Sequence, residues 1–317
     1  MSDSDNSDIV PRWGELPVEQ YLIENQRHWD YSSSESVDDQ RTRLVREYMQ
    51  LEEIPKEWDT AQFTEYSERQ PERIPTAEEV ATILRPWRSE DMRKRAWHLW
   101  AGENFLAPVM LRTYYENGSA GDKKIAEYAH TSDNYAESAD WAVLDDAELF
   151  NYGSDWKRIL SVLPEIIGFS INYQRAPLQA KLDRDLPKLK GAFTRAQREH
   201  PDWKQDVNLL LNGNGYARDL LCAVSMGWLW IVDEEAFETD KLLVVYLDAK
   251  QDITVQGRMD VDQGDMDEIL LKWYDRVPPG PIFDEGTVGD KYRLDTESGR
   301  EFFRLTESDL EDEADSE

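Results

Sequence analysis

A chain of 317 residues that is 40% hydrophobic, with 12 Trp, 14 Tyr and 9 Phe, is long enough for about two domains and too apolar to be disordered throughout. Its formal charge of -30, from 66 Asp and Glu against 36 Lys and Arg, makes the surface repel itself at ordinary ionic strength. The single Cys222 excludes an intramolecular disulfide, and no apolar run approaches the roughly 20 residues of a membrane helix.

The first two thirds of the chain are predicted to be mostly helical. Residues 1–9 form a predicted disordered acidic tail, and residues 10–226 form a predicted helical domain. Apolar residues recur at helical spacing in the segments 11–31, 36–53, 76–84, 89–100, 104–116, 122–130, 142–150, 155–169, 176–200, 202–211 and 217–226. Pro164 is expected to bend or interrupt one of these helices, and Pro187 is expected to divide the longest into two pieces.

The pattern changes after Gly227, and residues 227–306 are predicted to form a smaller domain. Val, Ile, Leu and aromatic residues dominate three segments that predict strands, at 228–232, 242–248 and 253–259. An amphipathic helix follows over residues 265–276, and residues 307–317 form a second predicted disordered acidic tail. The predicted fold class is therefore α+β, with a mostly helical N-terminal body and a smaller C-terminal α+β domain.

The charge pattern itself resembles that of cytoplasmic proteins from salt-accumulating haloarchaea, or from viruses that infect them. Arg (23) outnumbers Lys (13) among the basic residues, and in molar salt the Debye length falls to roughly 3 Å, so the self-repulsion nearly vanishes. The acidic, polar start MSDSDNSDIV is unlike a signal peptide. The resemblance implies a halophilic, cytoplasmic protein; the alternative is an acidic protein of ordinary salt with acidic tails.

One stretch reverses the acidic balance. Residues 173–198 hold seven cations against Asp183 and Asp185, which gives a local charge of +5. The cations are Arg175, Lys181, Arg184, Lys188, Lys190, Arg195 and Arg198. Clustered Lys and Arg bind phosphate backbones by releasing counterions, so the stretch is a candidate contact for DNA or RNA. The alternative is a basic helix that packs against acidic neighbours of the same chain and needs no ligand.

A second candidate lies in residues 288–305, where a short apolar segment is followed by a capped helix start. The pattern consists of Tyr292-Arg293-Leu294, Asp295-Thr296, Gly299-Arg300 and the apolar Phe302, Phe303 and Leu305. It resembles the last wing strand and the following helix of winged-helix proteins, although Asp295 intrudes before Thr296. The resemblance implies a winged-helix-like domain in which Lys291, Arg293 and Arg300 contact nucleic acid. The alternatives are an ordinary hairpin with a terminal helix, or a winged helix that contacts protein.

The helix before this segment would then be the recognition helix. It presents Asp265, Asp267 and Glu268 with only Lys272 and Arg276, which suits a DNA groove poorly.

A third pattern is Asp248-Ala249-Lys250, at the end of a predicted strand. Side chains two residues apart on a strand project to the same face, and restriction-type nucleases use such a pair with a neighbouring acid to hold Mg²⁺. Asp233, after the preceding strand, would supply that acid. The alternative is a solvated strand end.

No pattern predicts a resident metal site or a cofactor. The four His residues are scattered away from ligand spacing, at positions 28, 98, 130 and 200. Residues 260–268 faintly resemble a calcium loop, but Gly264 occupies the fifth position from Asp260 where the sixth is required.

The leading hypothesis is a nucleic-acid-associated or regulatory binding protein of a halophilic system, without catalytic activity. DNA, RNA or a protein partner is expected, and a membrane is not. The alternative is a structural or assembly protein of a virus or a complex. A Mg²⁺-dependent nuclease with Asp233, Asp248 and Lys250 as its site is the third hypothesis.

Overall fold

The computed structural model describes residues 10–24, 32, 34–51, 54–55, 58, 73–101, 107–167, 171–275, 277 and 280–311. The predicted tail at residues 1–9 therefore lies outside the described residues, as do residues 312–317. The described ranges contain helices and a six-stranded mixed sheet, which confirms the α+β class. Within them, no helix has the length and apolar character needed to cross a membrane.

The sheet forms the centre of the fold, with its strands in the order β2-β1-β3-β4-β5-β6. The strands are β1 (Val109–Arg112), β2 (Val143–Leu144), β3 (Ser225–Val232), β4 (Lys241–Asp248), β5 (Ile253–Asp260) and β6 (Thr287–Val288). β2, β1 and β3 are mutually parallel, and the neighbours from β3 to β6 pair antiparallel. The sheet therefore has a parallel half and an antiparallel half that share β3.

The helices are mostly short. In chain order they are α1 (Pro17–Glu24), α2 (Val37–Met49), α3 (Ala77–Glu79), α4 (Glu90–Ala101), α5 (Gly118–Ala129), α6 (Asp133–Ala136), α7 (Ala139–Ala142), α8 (Ala147–Phe150), α9 (Ile171–Glu199), α10 (Gly215–Val224), α11 (Glu234–Thr239), α12 (Gln263–Tyr274), α13 (Gly280–Glu285) and α14 (Glu297–Phe302). Polar caps fix several helix starts, including the capping box of Thr76 with Glu79 and the Ser36 cap of α2.

Two hydrophobic cores cover the two faces of the sheet. Successive side chains of a strand point to opposite faces, so Trp228 and Trp230 enter one core while Leu229 and Ile231 enter the other. The first core is closed by α5, α9, α10 and α12, and the second by α1, α2 and α4. Burial on both faces explains why the central strands read as continuous apolar runs.

A buried ionic network ties three distant segments together on the second face. Arg93 of α4 and Glu19 of α1 both have 0% exposed side chains, and Arg93 Nε donates to Glu19 Oε1 at 2.6 Å. Arg88 donates to both carboxylate oxygens of Glu165 at 2.9 Å, and its Nη2 lies 3.7 Å from Glu19. The network thus fixes α1, the segment before α4 and the 3-10 turn Pro164–Ile166 to one another.

Five helix predictions were wrong. Two of them are short: residues 142–150 contain β2, and residues 202–211 form two 3-10 turns, Trp203–Gln205 and Val207–Leu210. Residues 104–116 were predicted as helix but contain β1, because a four-residue apolar run does not distinguish a buried strand from part of a helix. The predicted helix over 155–169 is instead two 3-10 turns, Trp156–Ser161 and Pro164–Ile166. Helix α9 is continuous through Pro187, because the buried Leu186 and Leu189 hold it against the first core although proline removes one helical hydrogen bond.

Two predicted boundaries also differ from the structure. The predicted domain boundary between residues 226 and 227 falls inside β3. Because β1 pairs with β3, one sheet contains strands from both predicted domains. Residues 307–310, predicted as part of a disordered tail, form a 3-10 turn with a Thr306–Asp309 capping box. Gln197 Nε2 of α9 donates to the carbonyl of Asp309 at 3.0 Å, so this turn is packed against α9.

Candidate functional site

The predicted basic stretch lies on α9, with its apolar side in the first core and four cations on the opposite, exposed side. These four cations are called the α9 cation stripe: Arg184, Lys188, Arg195 and Arg198. Intervals of four, seven and three residues place them on one face of the helix. At about 1.5 Å per residue the stripe is about 21 Å long. Gly191 lies in its middle, and a side chain there would meet no atom within 4 Å.

The N-terminal end of the stripe surrounds a buried carboxylate. Asp185 accepts hydrogen bonds from Nε and Nη2 of Arg184 at 2.8 Å each, and its side chain is 4% exposed. The ammonium groups of Lys181 and Lys188 lie 3.7 Å and 3.5 Å from it. The hydrogen bonds from Arg184, helped by the charges of the two lysines, lower the pKa of Asp185 to about 2. Three cations thus share one carboxylate, and this end of α9 keeps a positive charge.

The two remaining described cations of the stretch face sideways and contact acidic groups of other segments. Lys181 also lies 3.9 Å from Asp219 of α10, and Lys190 lies 3.1 Å from Asp309 of the C-terminal turn. The side chain of Arg175 lies outside the described residues. The stripe is therefore narrower than the sequence count of seven cations suggests, because part of that charge is compensated within the chain.

A groove of about 630 Å³ runs beside the C-terminal half of the stripe. Phe193 and Arg198 of α9 form one wall, and Leu305 and Asp309 of the C-terminal segment form the other, with Trp203 between them. The groove thus combines an apolar base with two cations, Lys190 and Arg198, and two carboxylates, Asp309 and Glu311. It can accept an apolar or planar group that belongs to a ligand held on the stripe.

The three cations predicted in residues 288–305 are engaged within the chain. Lys291 donates to Asp252 at 2.9 Å and also contacts Asp248, Arg293 pairs with Asp295, and Arg300 donates to the carbonyl of Leu294 at 3.2 Å. The helix after Thr296 forms as predicted, with the threonine hydroxyl accepting from Gly299 N at 3.1 Å. The predicted strand at 292–294 is wrong, because Asp290–Tyr292 is a 3-10 turn and the paired residues are Thr287–Val288.

The helix predicted as the recognition helix is α12, and one side of it is used by the fold. Met266, Ile269 and Trp273 are buried in the first core. Asp267 accepts hydrogen bonds from Ser132 and Asn134, at the start of α6. That side of α12 is closed to a nucleic-acid groove.

The residues of the predicted nuclease site do not meet. β3 and β4 are antiparallel, with Ser225 opposite Asp248 and Ile231 opposite Leu243. Asp233, which follows β3, is therefore level with the start of β4, about seven residues or roughly 23 Å from Asp248. In the described residues, no group of three or more His, Cys, Asp or Glu is placed to hold a metal ion.

Each of the three residues also has a structural contact. Asp248 Oδ1 accepts from the backbone N–H groups of Lys250 and Asp252, at 2.8 Å and 2.9 Å, in the β4–β5 turn. Lys250 Nζ donates to two carbonyls at the end of α2. Asp233 accepts two hydrogen bonds from Arg258, at 2.8 Å and 2.7 Å.

Several residues that shape the α9 surface could not be found from the sequence. Asp219 and Asp309 approach Lys181 and Lys190 only through tertiary packing, since Asp309 is 119 residues from its partner. Tyr216 lies under Lys188, with the ammonium 5.6 Å from the ring centroid. One signal was present in the sequence. A helical projection of α9 places Asp185 on the apolar side, beside Leu186 and Leu189, and so indicates a buried carboxylate among cations.

Comparison of the chain with the models of known protein families, with curated proteins and with solved structures found no match.

Proposed function

We propose that the protein is a non-catalytic, nucleic-acid-associated binding protein and that the α9 cation stripe is its contact surface. The observation that carries the proposal is that four cations share one exposed helical face in a chain whose formal charge is -30. A helix face that only contacts solvent does not need to depart from the acidic character of the rest of the chain. In so acidic a protein, a run of exposed cations therefore indicates binding to an anionic polymer.

The length and charge of the stripe set the size of the expected electrostatic effect. A nucleic-acid strand carries one phosphate per about 3.4 Å, so a stripe of about 21 Å spans several phosphates. Four contacts would give a slope of log affinity against log salt of about -3.6 on duplex DNA. Because Arg184 and Lys188 share Asp185, we expect a slope between about -2 and -3.6.

The acidic composition supports the further proposal that this protein works in the concentrated cytoplasmic salt of a halophilic system. At molar salt the charges act over roughly 3 Å, so long-range steering is lost. Binding there needs direct contact, which the guanidinium groups of the stripe and the apolar base of the groove supply. The affinity is therefore expected to contain a salt-independent part.

The winged-helix resemblance of residues 288–305 stays a prediction and is not part of the proposed surface. Lys291, Arg293 and Arg300 are each bound to a group of this chain. A DNA contact through them would first require those bonds to break.

Substitutions at Gly191 test the proposal without disturbing any ion pair. Gly191 is exposed, and a side chain at this position would meet no atom within 4 Å. Replacing Gly191 by Glu, Lys or Gln improves the helix propensity by roughly 0.5–1 kcal/mol. Gly191→Glu should weaken binding of duplex DNA and of RNA several-fold and flatten the salt slope by about one unit. Gly191→Lys should strengthen binding, and Gly191→Gln is the neutral control. Fluorescence anisotropy across a KCl series measures all three.

The result against the proposal is equally clear. If the wild-type protein binds neither DNA nor RNA at any KCl concentration in which it is folded, the proposed function fails. If it binds but Gly191→Glu and Gly191→Lys have equal affinities, the nucleic acid contacts another surface.

The alternative function, a structural or assembly protein, is favoured by one observation at the end of α12. Leu271 and Tyr274, one turn apart on α12, are 57% and 62% exposed, and Val277, which follows the helix, is 40% exposed. Such a patch suits a protein partner. Light scattering of the wild type and of Leu271→Glu distinguishes the two functions, since only the assembly role predicts a larger species that the substitution disperses.

A further inference from the structure

A crevice opens at the carboxyl ends of the parallel strands β1 and β3. The chain leaves β1 toward β2 on one side, and it leaves β3 through α11 toward β4 on the other side. Neighbouring connections that diverge in this way leave a space outside the strand ends, where ligands bind in open sheets. The cavity here measures about 420 Å³, a size suited to a small molecule. The crevice was not predicted, because the segment that contains β1 was predicted as helix.

The crevice has an apolar base and an acidic rim. Trp156, Ile231 and Leu243 line the base. The rim carries three successive carboxylates, at residues 233, 234 and 235. Arg258 donates to Asp233 twice and to Glu235 at 2.8 Å, and Tyr114 hydrogen-bonds to Glu234. One guanidinium thus offsets only part of the charge of three carboxylates, and the rim keeps a negative charge.

An unpartnered hydroxyl provides the second, independent observation. Thr113 lines the crevice and is 1% exposed, and its Oγ1 has no hydrogen-bond partner among the described residues. Its backbone is fully used, since its N–H donates to Val232 O at 3.0 Å and its carbonyl accepts from Gly153 N at 3.2 Å. A buried hydroxyl without a partner is unfavourable, so its presence at the strand end points to a bound group that completes it.

We propose that this crevice binds an organic cation, a primary ammonium or guanidinium group on a short apolar stem. The stem packs on Trp156 and Ile231, with the cation close enough to the indole for a favourable electrostatic contact. The cationic group donates to Glu234 and to the hydroxyl oxygen of Thr113. The cation belongs either to a free amine or to a Lys or Arg side chain of a partner, since both present the same chemistry.

Titration calorimetry with cadaverine, agmatine and a capped tripeptide with a central lysine tests the proposal. The neutral analogue 1-pentanol is the matched control ligand. We expect saturable binding of the cations and none of pentanol. Tighter binding of cadaverine or agmatine than of the tripeptide would assign the site to a free amine, and the reverse order to a basic side chain.

Two variants and a control locate the binding. Glu234→Gln should weaken the binding of the cations by about tenfold or more, because a charge-assisted hydrogen bond is lost. Thr113→Val should also weaken the binding of the cations. Its unfolding midpoint should equal or exceed that of the wild type, since the lost hydroxyl has no partner in the fold. Glu238→Gln, on the same helix outside the crevice, should change nothing.

The proposal is overturned if none of the three cations binds, or if Thr113→Val and Glu234→Gln both bind as tightly as the wild type. These outcomes are independent of nucleic-acid binding, which involves the other face of the sheet.

Discussion

Glu19→Gln is the most demanding test of how this fold is held together. The substitution keeps the shape of the side chain but removes the carboxylate that neutralises Arg93 in a fully buried site. Glu19 accepts three hydrogen bonds, two from Arg93 at 2.6 Å and 3.2 Å and one from Gly14 N at 2.7 Å. A glutamine retains only one acceptor oxygen, so at least one donor loses its partner.

The expected magnitude follows from burial. Removing one partner of a buried ion pair costs about 3–5 kcal/mol, because the other charge is left uncompensated in a low-dielectric site. We expect the free energy of unfolding to fall by about 3 kcal/mol or more, out of the roughly 5–15 kcal/mol typical of a protein. Since both side chains are 0% exposed, the loss should be nearly the same at about 1 M and about 3 M KCl.

A matched control uses a surface pair of the same residue types. Arg43 and Glu47 are 3.0 Å apart on α2 with side chains 39% and 41% exposed. Glu47→Gln should therefore cost less than about 1 kcal/mol, and less still as KCl is raised. The double variant Glu19→Met with Arg93→Met should recover most of the stability lost in Glu19→Gln, because it removes both charges of the pair, while Arg88 keeps its partner Glu165.

Urea unfolding at the two salt concentrations measures every variant. A loss below about 1 kcal/mol for Glu19→Gln, or a loss that shrinks with salt as the surface pair does, would refute the reasoning, since it would mean that water and ions reach the network.

Three further predictions concern charge. Raising KCl from about 0.1 M to about 3 M should raise the thermal unfolding midpoint, because salt screens the self-repulsion of a chain of charge -30; a flat or falling midpoint would contradict the halophilic interpretation. The pKa of Asp185 is lowered from 3.8 to about 2, so its contribution to stability is present above about pH 4 and is lost as the pH falls from about 4 to 2. Asp185→Asn should flatten that part of an acid-unfolding curve. An unchanged curve would show that the carboxylate is not paired in solution. Asp248→Asn should lower the unfolding midpoint, because Asp248 also accepts a hydrogen bond from Tyr292 Oη at 2.6 Å. Neither the wild type nor this variant should cleave DNA with Mg²⁺. Cleavage by the wild type alone would restore the nuclease hypothesis.

The antiparallel half of the sheet could be predicted because its local signals agree. β3 and β4 are eight-residue strands made mostly of apolar, β-branched and aromatic residues, and β5 begins with Ile-Thr-Val. Short connections join the three, so propensity, length and turn spacing all indicate strands. α2, α4, α10 and α12 were predicted for the same reason, from apolar spacing between clear caps. The α+β class followed from these elements.

The parallel half could not be predicted, because its signals are not local. β1 has four residues and β2 has two, and each is a strand only because β3 lies beside it. The charge balance of α9 was visible in the sequence, but the pairing of Lys190 with Asp309 depends on where the C-terminal turn packs. The crevice beyond β1 was missed with β1 itself.

The pairing of β1 with β3 also determines when this protein can fold. Val109 lies opposite Leu229, 120 residues further along the chain, so the first strand must wait through the synthesis of α5 to α10 for its partner. Closing so long a loop is slow relative to local helix formation. A fragment that begins at residue 227 would keep the hairpins of β3 to β5 but expose the edge of an almost wholly apolar strand, which promotes aggregation. Truncation within the sheet is therefore expected to yield insoluble protein, and expression of the whole chain is the route to a soluble one.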